Sequence, residues 1–122
     1  MAWDLKSDRP IYAQLVEQIQ LMVVSGIYAA GSKLPSVRDM AAEAAVNPNT
    51  MQRALSQLEG DGLLYSQRTS GRYVTEDVQK IMQIKNNLAA DLIQDFLEKM
   101  NRLGFDREQT IDLLNHVTKE EG

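Results

Sequence analysis

The sequence contains no cysteine. Disulfides, thiolate metal sites and cysteine nucleophiles are therefore excluded, and the reducing cytoplasm is the expected location. Histidine occurs once, at His116. A metal site draws on several ligands, so no metal is expected and His116 reads as a surface residue. No serine has a histidine partner at a sensible place. No glycine-rich loop follows a strand and opens a helix, so a phosphate cradle is missing as well. Carboxylate pairs such as Asp91/Asp95 look like helix-surface charge. No enzymatic activity and no cofactor are expected. No apolar run approaches the roughly 20 residues needed to cross a bilayer. The N-terminus has no basic segment followed by an apolar one, so neither a signal peptide nor membrane attachment is expected. Proline is sparse, at Pro10, Pro35 and Pro48, and each one sits where a helix can begin.

Positive charge is also in short supply. The 122 residues carry 13 Lys/Arg against 17 Asp/Glu, a net charge of −4. Taken alone this disfavours nucleic acid, whose affinity rests on neutralising phosphates. The distribution weakens the objection. Residues 1–75 hold seven Lys/Arg and seven Asp/Glu, whereas 76–122 hold six and ten. The acidic excess lies in the C-terminal part. A neutral N-terminal part can bind DNA if Lys33, Arg38, Arg53, Arg68 and Arg72 converge on one face.

What is present is an ordinary globular composition, 43% hydrophobic and 25% charged, arranged around the stretch Lys33 to Val74. Ser36 can cap a helix there, with Asp39 placed for a capping box. Val37, Met40, Ala41 and Ala44 then recur at helical spacing. Asn47 caps a second helix with Pro48 at its first position, where a missing N–H costs nothing. Met51, Ala54, Leu55 and Leu58 form the inward face, leaving Asn49, Gln52, Arg53 and Ser56 outside. Gly60 and Gly62 stop the helix. Leu63 to Gln67 and Arg72 to Thr75 flank Arg68-Thr69-Ser70-Gly71 as a hairpin. Two helices joined by a tight turn make a helix-turn-helix, and the hairpin makes a wing. Arginine can fork onto guanine, and asparagine or glutamine can bond both edge atoms of adenine. A small helical domain with a merely solvated polar face fits the helix pattern too.

Ahead of this stretch, Met1 to Arg9 reads as an extended arm whose Trp3 packs on the domain. Ile11 to Ser25 reads as a supporting helix through Leu15, Ile19, Met22 and Val23, and Gly26 ends it. Ile27 to Lys33 is a connector, with Tyr28 at the edge of the core. Behind it, residues 76–103 form a long amphipathic helix of about 40 Å, which Gly104 closes. Asp106 and Gln109 make a second capping box, opening a helix to about Lys119 with Ile111, Leu114 and Val117 inward.

At PIYAQL (10–15), SGIYAAGSKLPSVRDMA (25–41), VNPNTMQRAL (46–55) and LEGDGLLYSQRTSGRYV (58–74), the chain resembles the winged-helix domain of GntR-family transcription regulators. Its short C-terminal part is similar to the small YtrA-like branch. The resemblance implies a bacterial repressor that binds a pseudo-palindromic DNA operator as a homodimer. It implies that Arg38, Asn47, Asn49, Thr50 and Gln52 contact DNA, and that Gly71 at the wing tip enters the minor groove. Much of the family has arginine where this chain has Pro48, so readout of the major groove shifts to neighbouring residues. The candidate interface is Lys33, Ser36, Arg38, Asn47, Pro48, Asn49, Thr50, Gln52, Arg53, Arg68, Ser70, Gly71 and Arg72.

The expected fold class is mainly α with a small β-hairpin wing. A winged helix-turn-helix domain at 1–75 is followed by two dimerisation helices at 76–122. Those two helices cannot cover their apolar face alone, so pairing with a second copy is expected through Ile81, Leu88, Leu92, Phe96, Met100 and Leu114. Folding back on the winged helix in a monomer is the alternative. If a small-molecule effector binds, the seam between the long helices is the expected place. A protein-interaction module that does not bind DNA is the competing function.

Overall fold

The computed structural model describes residues 3–121, with side chains to Lys119. Met1 and Ala2 of the expected arm, and Gly122, lie outside the described residues. Helices α1 (Ile11–Val24), α2 (Val37–Ala44) and α3 (Pro48–Gly60) lead into strands β1 (Leu64–Gln67) and β2 (Gly71–Val74). Helices α4 (Val78–Arg102) and α5 (Arg107–Glu121) follow. The fold is mainly helical with a two-stranded antiparallel wing, as the residue pattern predicts.

Local chemistry sets the helix ends. Ser36 Oγ accepts the Asp39 N–H at 3.0 Å and starts α2. Asn47 Oδ1 accepts the Asn49 N–H at 2.8 Å and starts α3, each supplying an acceptor for an otherwise unpaired donor. Between them the chain turns at Ala45, whose φ of 57° and ψ of 46° are left-handed, a conformation that alanine adopts only at a cost. Helix α3 runs through Gly60, and Gly62, at φ +85°, makes the turn out.

The core lies among α1, α2, α3 and the base of the wing. Leu15, Ile19 and Met22 of α1, Met40 of α2, and Met51, Leu55 and Leu58 of α3 are almost fully buried, with Leu63 and Val74 from the hairpin. Each such side chain contributes about 1.5–3 kcal/mol of burial, so the wing is anchored to the helices by its root while its tip stays in solvent.

Two features go beyond the expected pattern. The connector is not a loose link, because Lys33 bridges Tyr73 on the side of β2 away from β1. The Leu34 N–H donates to the Arg72 carbonyl and the Val74 N–H to the Ser32 carbonyl, both at 2.9 Å. Strand β2 is thus held on both edges. The arm is clamped by α1. Gln14, buried, exchanges hydrogen bonds of 2.6 Å with the Lys6 N–H and carbonyl. Gln18, one turn on, does the same with Asp4. Trp3 packs against the core and its indole N–H donates to Glu43 at 3.3 Å.

Contacts group the residues through Lys85 into one unit and those from Asn86 into another. Helix α4 starts at Val78, with Asp77 Oδ1 accepting the Lys80 N–H at 3.1 Å, slightly later than the expected Glu76. Its first turns belong to the winged-helix unit, where Ile81 and Ile84 pack on the core. The apolar surface of Ile81 is thus already half covered within its own unit. In the second unit, Asp106 and Gln109 complete their capping box in both directions, at 2.9 and 2.8 Å. Leu88 and Met100 are half-buried there, while Leu92 (68%), Leu114 (47%) and Phe96 (41%) remain exposed.

Candidate nucleic-acid interface

The candidate residues fall in two patches of the first unit. One is the outer side of α3. Asn47, Pro48, Asn49, Gln52 and Arg53 are exposed there, and Thr50 is half-buried. Thr50 and Asn47 border an apolar depression of about 470 Å³ walled by Trp3, Leu5 and Ile11, so Thr50 is part packing residue. The other patch is a groove of about 690 Å³ between the N-terminus of α2 and the wing. Lys33, Ser36, Arg68, Ser70, Gly71 and Arg72 line it. Arg38 is exposed in the first turn of α2.

The groove is built by the hairpin register. Gln67 faces Gly71, and Ser66 faces Arg72. Gly71 takes φ +112° in closing the tip, where a Cβ would meet Lys33 Cε at 3.3 Å. The aliphatic stem of Lys33 thus lies against the tip glycine. Tyr65 and Tyr73 stack across the strands with centroids 5.7 Å apart, and the Tyr73 hydroxyl donates to Ser70 Oγ at 3.0 Å. This pair stiffens the wing.

The cations differ in how free they are. Among the described residues, Lys33, Arg38 and Arg68 have no carboxylate partner. Arg53 lies over the ring of Tyr12, 3.6 Å from its centroid, which ties α3 to α1. Arg72, by contrast, is paired. Its Nε donates to Glu59 Oε1 of α3, and its Nη1 lies 3.5 Å from Gln52 Oε1. Glu59 Oε1 also accepts from Ser66 Oγ at 2.6 Å. Burial alone would push the Glu59 carboxyl up. The hydrogen bonds from Ser66 and Arg72, with the Arg72 charge, outweigh it, and the group sits below the ordinary glutamate value.

Glu59, Ser66 and Tyr12 were absent from the sequence-based set. A signal for Glu59 existed, because Gln52, Ser56 and Glu59 fall at i, i+4 and i+7 on one helix face. Nothing local marks the pairing of Tyr12 with Arg53, which depends on how α1 and α3 pack. Among the described residues there is also no group of His, Cys, Asp or Glu placed to hold a metal, and no helix is long and apolar enough to cross a membrane.

This geometry, two short capped helices with a wing bonded to the second, has known counterparts. Residues 11–74 match the bacterial regulatory proteins of the gntR family. The chain belongs to the GntR family. This GntR-family chain is 33% identical over 114 residues to YhcF of Bacillus subtilis, named an uncharacterized HTH-type transcriptional regulator. That match spans 93% of this chain and 94% of YhcF. It is 27% identical over 118 residues to the HTH-type transcriptional repressor YtrA of the same organism, spanning 96% and 91%. A GntR family transcriptional regulator from Listeria monocytogenes superposes with a TM-score of 0.84 at 39% identity, over 92% of this chain and 98% of that one. AraR(DBD) in complex with operator ORE1 is similar with a TM-score of 0.53 at 28% identity, over 62% of this chain and 94% of that one. The GntR-family chain is thus a transcriptional regulator with a DNA-binding helix-turn-helix, and not an enzyme.

Proposed function

We propose that this GntR-family regulator is a cytoplasmic repressor that binds a two-fold-related operator as a homodimer. In this reading α3 enters the major groove. Asn49 and Gln52 face the base edges, Arg38 and Arg68 meet phosphates, and the Gly71 tip reaches the adjacent minor groove. The observation that carries the reading is the direct tie between the two patches, from Arg72 of the wing to Gln52 and Glu59 of α3. It makes the outer side of α3 and the wing one exposed surface with unpaired cations at its margin. The name of YtrA, a repressor, and the operator complex of AraR(DBD) support the reading by similarity.

The apolar side chains left exposed on α4 and α5, Leu92, Phe96 and Leu114 among them, support pairing of two chains, as a two-fold operator requires. Half-site centres are then roughly 34 Å apart.

The test begins with selection of bound sequences from a random double-stranded DNA pool, followed by mobility-shift titration on the enriched sequence. Arg38→Ala and Asn49→Ala should each weaken binding about ten-fold or more while melting like the wild type. Unchanged affinity in both variants sinks the assignment. A reporter gene placed behind the selected sequence should fall in expression when the protein is supplied. A rise would make the regulator an activator instead.

A further inference from the structure

Arg72 belongs to a network whose geometry says more about base choice than about phosphate contact. The guanidinium carries donors and no acceptor. Whatever polar atom faces it must therefore be an acceptor, which in a carboxamide is the oxygen. Glu59 takes the Arg72 Nε–H and is itself steadied by the Ser66 hydroxyl at 2.6 Å. The half-buried arginine is thereby anchored between β2 and α3, with its Nη1 3.5 Å from Gln52. That proximity selects one of the two orientations of the Gln52 carboxamide, oxygen toward Arg72 and nitrogen away. The Gln52 nitrogen has two hydrogens. One points to Ser56 Oγ at 3.4 Å, and the other is left for a ligand.

A free glutamine prefers adenine because its oxygen and nitrogen together match the adenine N6 donor and N7 acceptor. A glutamine whose oxygen is turned toward Arg72 leads with its N–H, the remaining lone pair of that oxygen being held to the arginine side. We propose that Arg72, anchored by Glu59, is the positioning residue that sets the base preference of Gln52, so that α3 presents an amide N–H and favours a keto base, guanine through O6 or thymine through O4. The proposal rests on the reading that α3 enters the major groove. It also accounts for a wing arginine that faces the recognition helix instead of solvent. Arg72 then acts through Gln52, with no phosphate of its own.

The experiment uses the full chain and the same random double-stranded DNA pool, selected in parallel with wild type, Gln52→Ala, Arg72→Ala, Arg72→Lys and Glu59→Gln. Wild type should enrich a motif with guanine or thymine at one position in each half-site. Gln52→Ala should flatten that position. Arg72→Ala and Glu59→Gln should move the same position toward adenine, by about five- to ten-fold in relative affinity, and leave the other positions alone. Arg72→Lys should restore part of the keto preference.

A motif unchanged in Arg72→Ala, with affinity lowered alike for all sequences and the salt slope reduced by about one, would make Arg72 a direct phosphate contact and overturn the proposal. Adenine already preferred by wild type at the Gln52 position overturns it too. Failure of wild type to enrich any motif is a different failure, that of major-groove reading itself, and removes the proposal with it. Circular dichroism checks each variant. Should Arg72→Ala not fold, Glu59→Gln, which keeps the shape and removes the charge, decides.

Discussion

At the scale of single residues, two side chains sit away from the ordinary state of their type. Ala45 holds the turn between α2 and α3 in the left-handed region, where a Cβ costs roughly 1–2 kcal/mol. Glycine removes that cost and returns part of it as unfolded-state entropy. Ala45→Gly is therefore expected to stabilise the fold by up to about 1 kcal/mol, seen as a raised Tm in thermal unfolding, and a lowered Tm would count against a strained turn. Glu59 is the second case. Its folded pKa lies below its ordinary value, so its contribution is complete above the unfolded pKa and fades as the pH falls through the folded one. In urea titrations, the stability advantage of wild type over Glu59→Gln should shrink on going from about pH 5 to about pH 3. A gap that stays constant over that range would show that the Arg72 pair does not depend on the Glu59 charge.

At the scale of elements, the N-terminus of α3 carries a cap and, in the proposed reading, a DNA contact, and one residue touches both. Asn47 caps the helix through the Asn49 N–H and stands exposed beside Pro48, Asn49 and Gln52. Aspartate caps about as well as asparagine, whereas alanine loses about 1 kcal/mol. Asn47→Ala should therefore lower both Tm and DNA affinity. Asn47→Asp should keep the Tm and still lower affinity, because it brings a negative charge to a phosphate-facing helix end. Equal affinity for Asn47→Asp and wild type in the mobility shift would remove Asn47 from the interface and leave it a cap. The wing shows the same dependence between elements. Its register follows from β1 and β2, but its root is fixed by Leu63 and Val74 in the core and by the connector at Lys33.

At the scale of the whole molecule, the proposed operator binding and the proposed self-association are linked. If Lys33, Arg38 and Arg68, which have no carboxylate partner among the described residues, each meet a phosphate, the proposed dimer makes about six such contacts. The log–log dependence of affinity on salt should then have a slope of roughly −5, and a slope near zero would remove phosphate contact from the account. Leu92 and Phe96, 68% and 41% exposed, leave apolar surface worth on the order of 1 kcal/mol each when covered. Leu92→Asp and Phe96→Asp should shift sedimentation from dimer to monomer and weaken operator binding at least ten-fold, with the winged-helix core untouched. A wild type that sediments as a monomer at operator-binding concentrations would turn the dimer proposal down.

Much of this was legible before any coordinates. Ser36, Asn47, Asp106 and the positions of proline and glycine mark helix ends because caps act within four residues. The apolar spacing picks out Leu15, Ile19, Met51 and Leu55 as core because a helix repeats its face every 3.6 residues. Local rules of this kind determined the five helices, the hairpin and the outer side of α3. They could not determine which partner a long side chain meets across elements. Arg72 and Glu59 are 13 residues apart, and Arg53 and Tyr12 still further. Their contacts exist only once α1, α3 and the wing have packed. Tertiary structure alone therefore decided which basic residues pair with a carboxylate or a ring, which end of the Gln52 carboxamide faces Arg72, and that Ile81 packs on the winged-helix core. Charge pairing follows distance in space, and distance in space is set by the packed core.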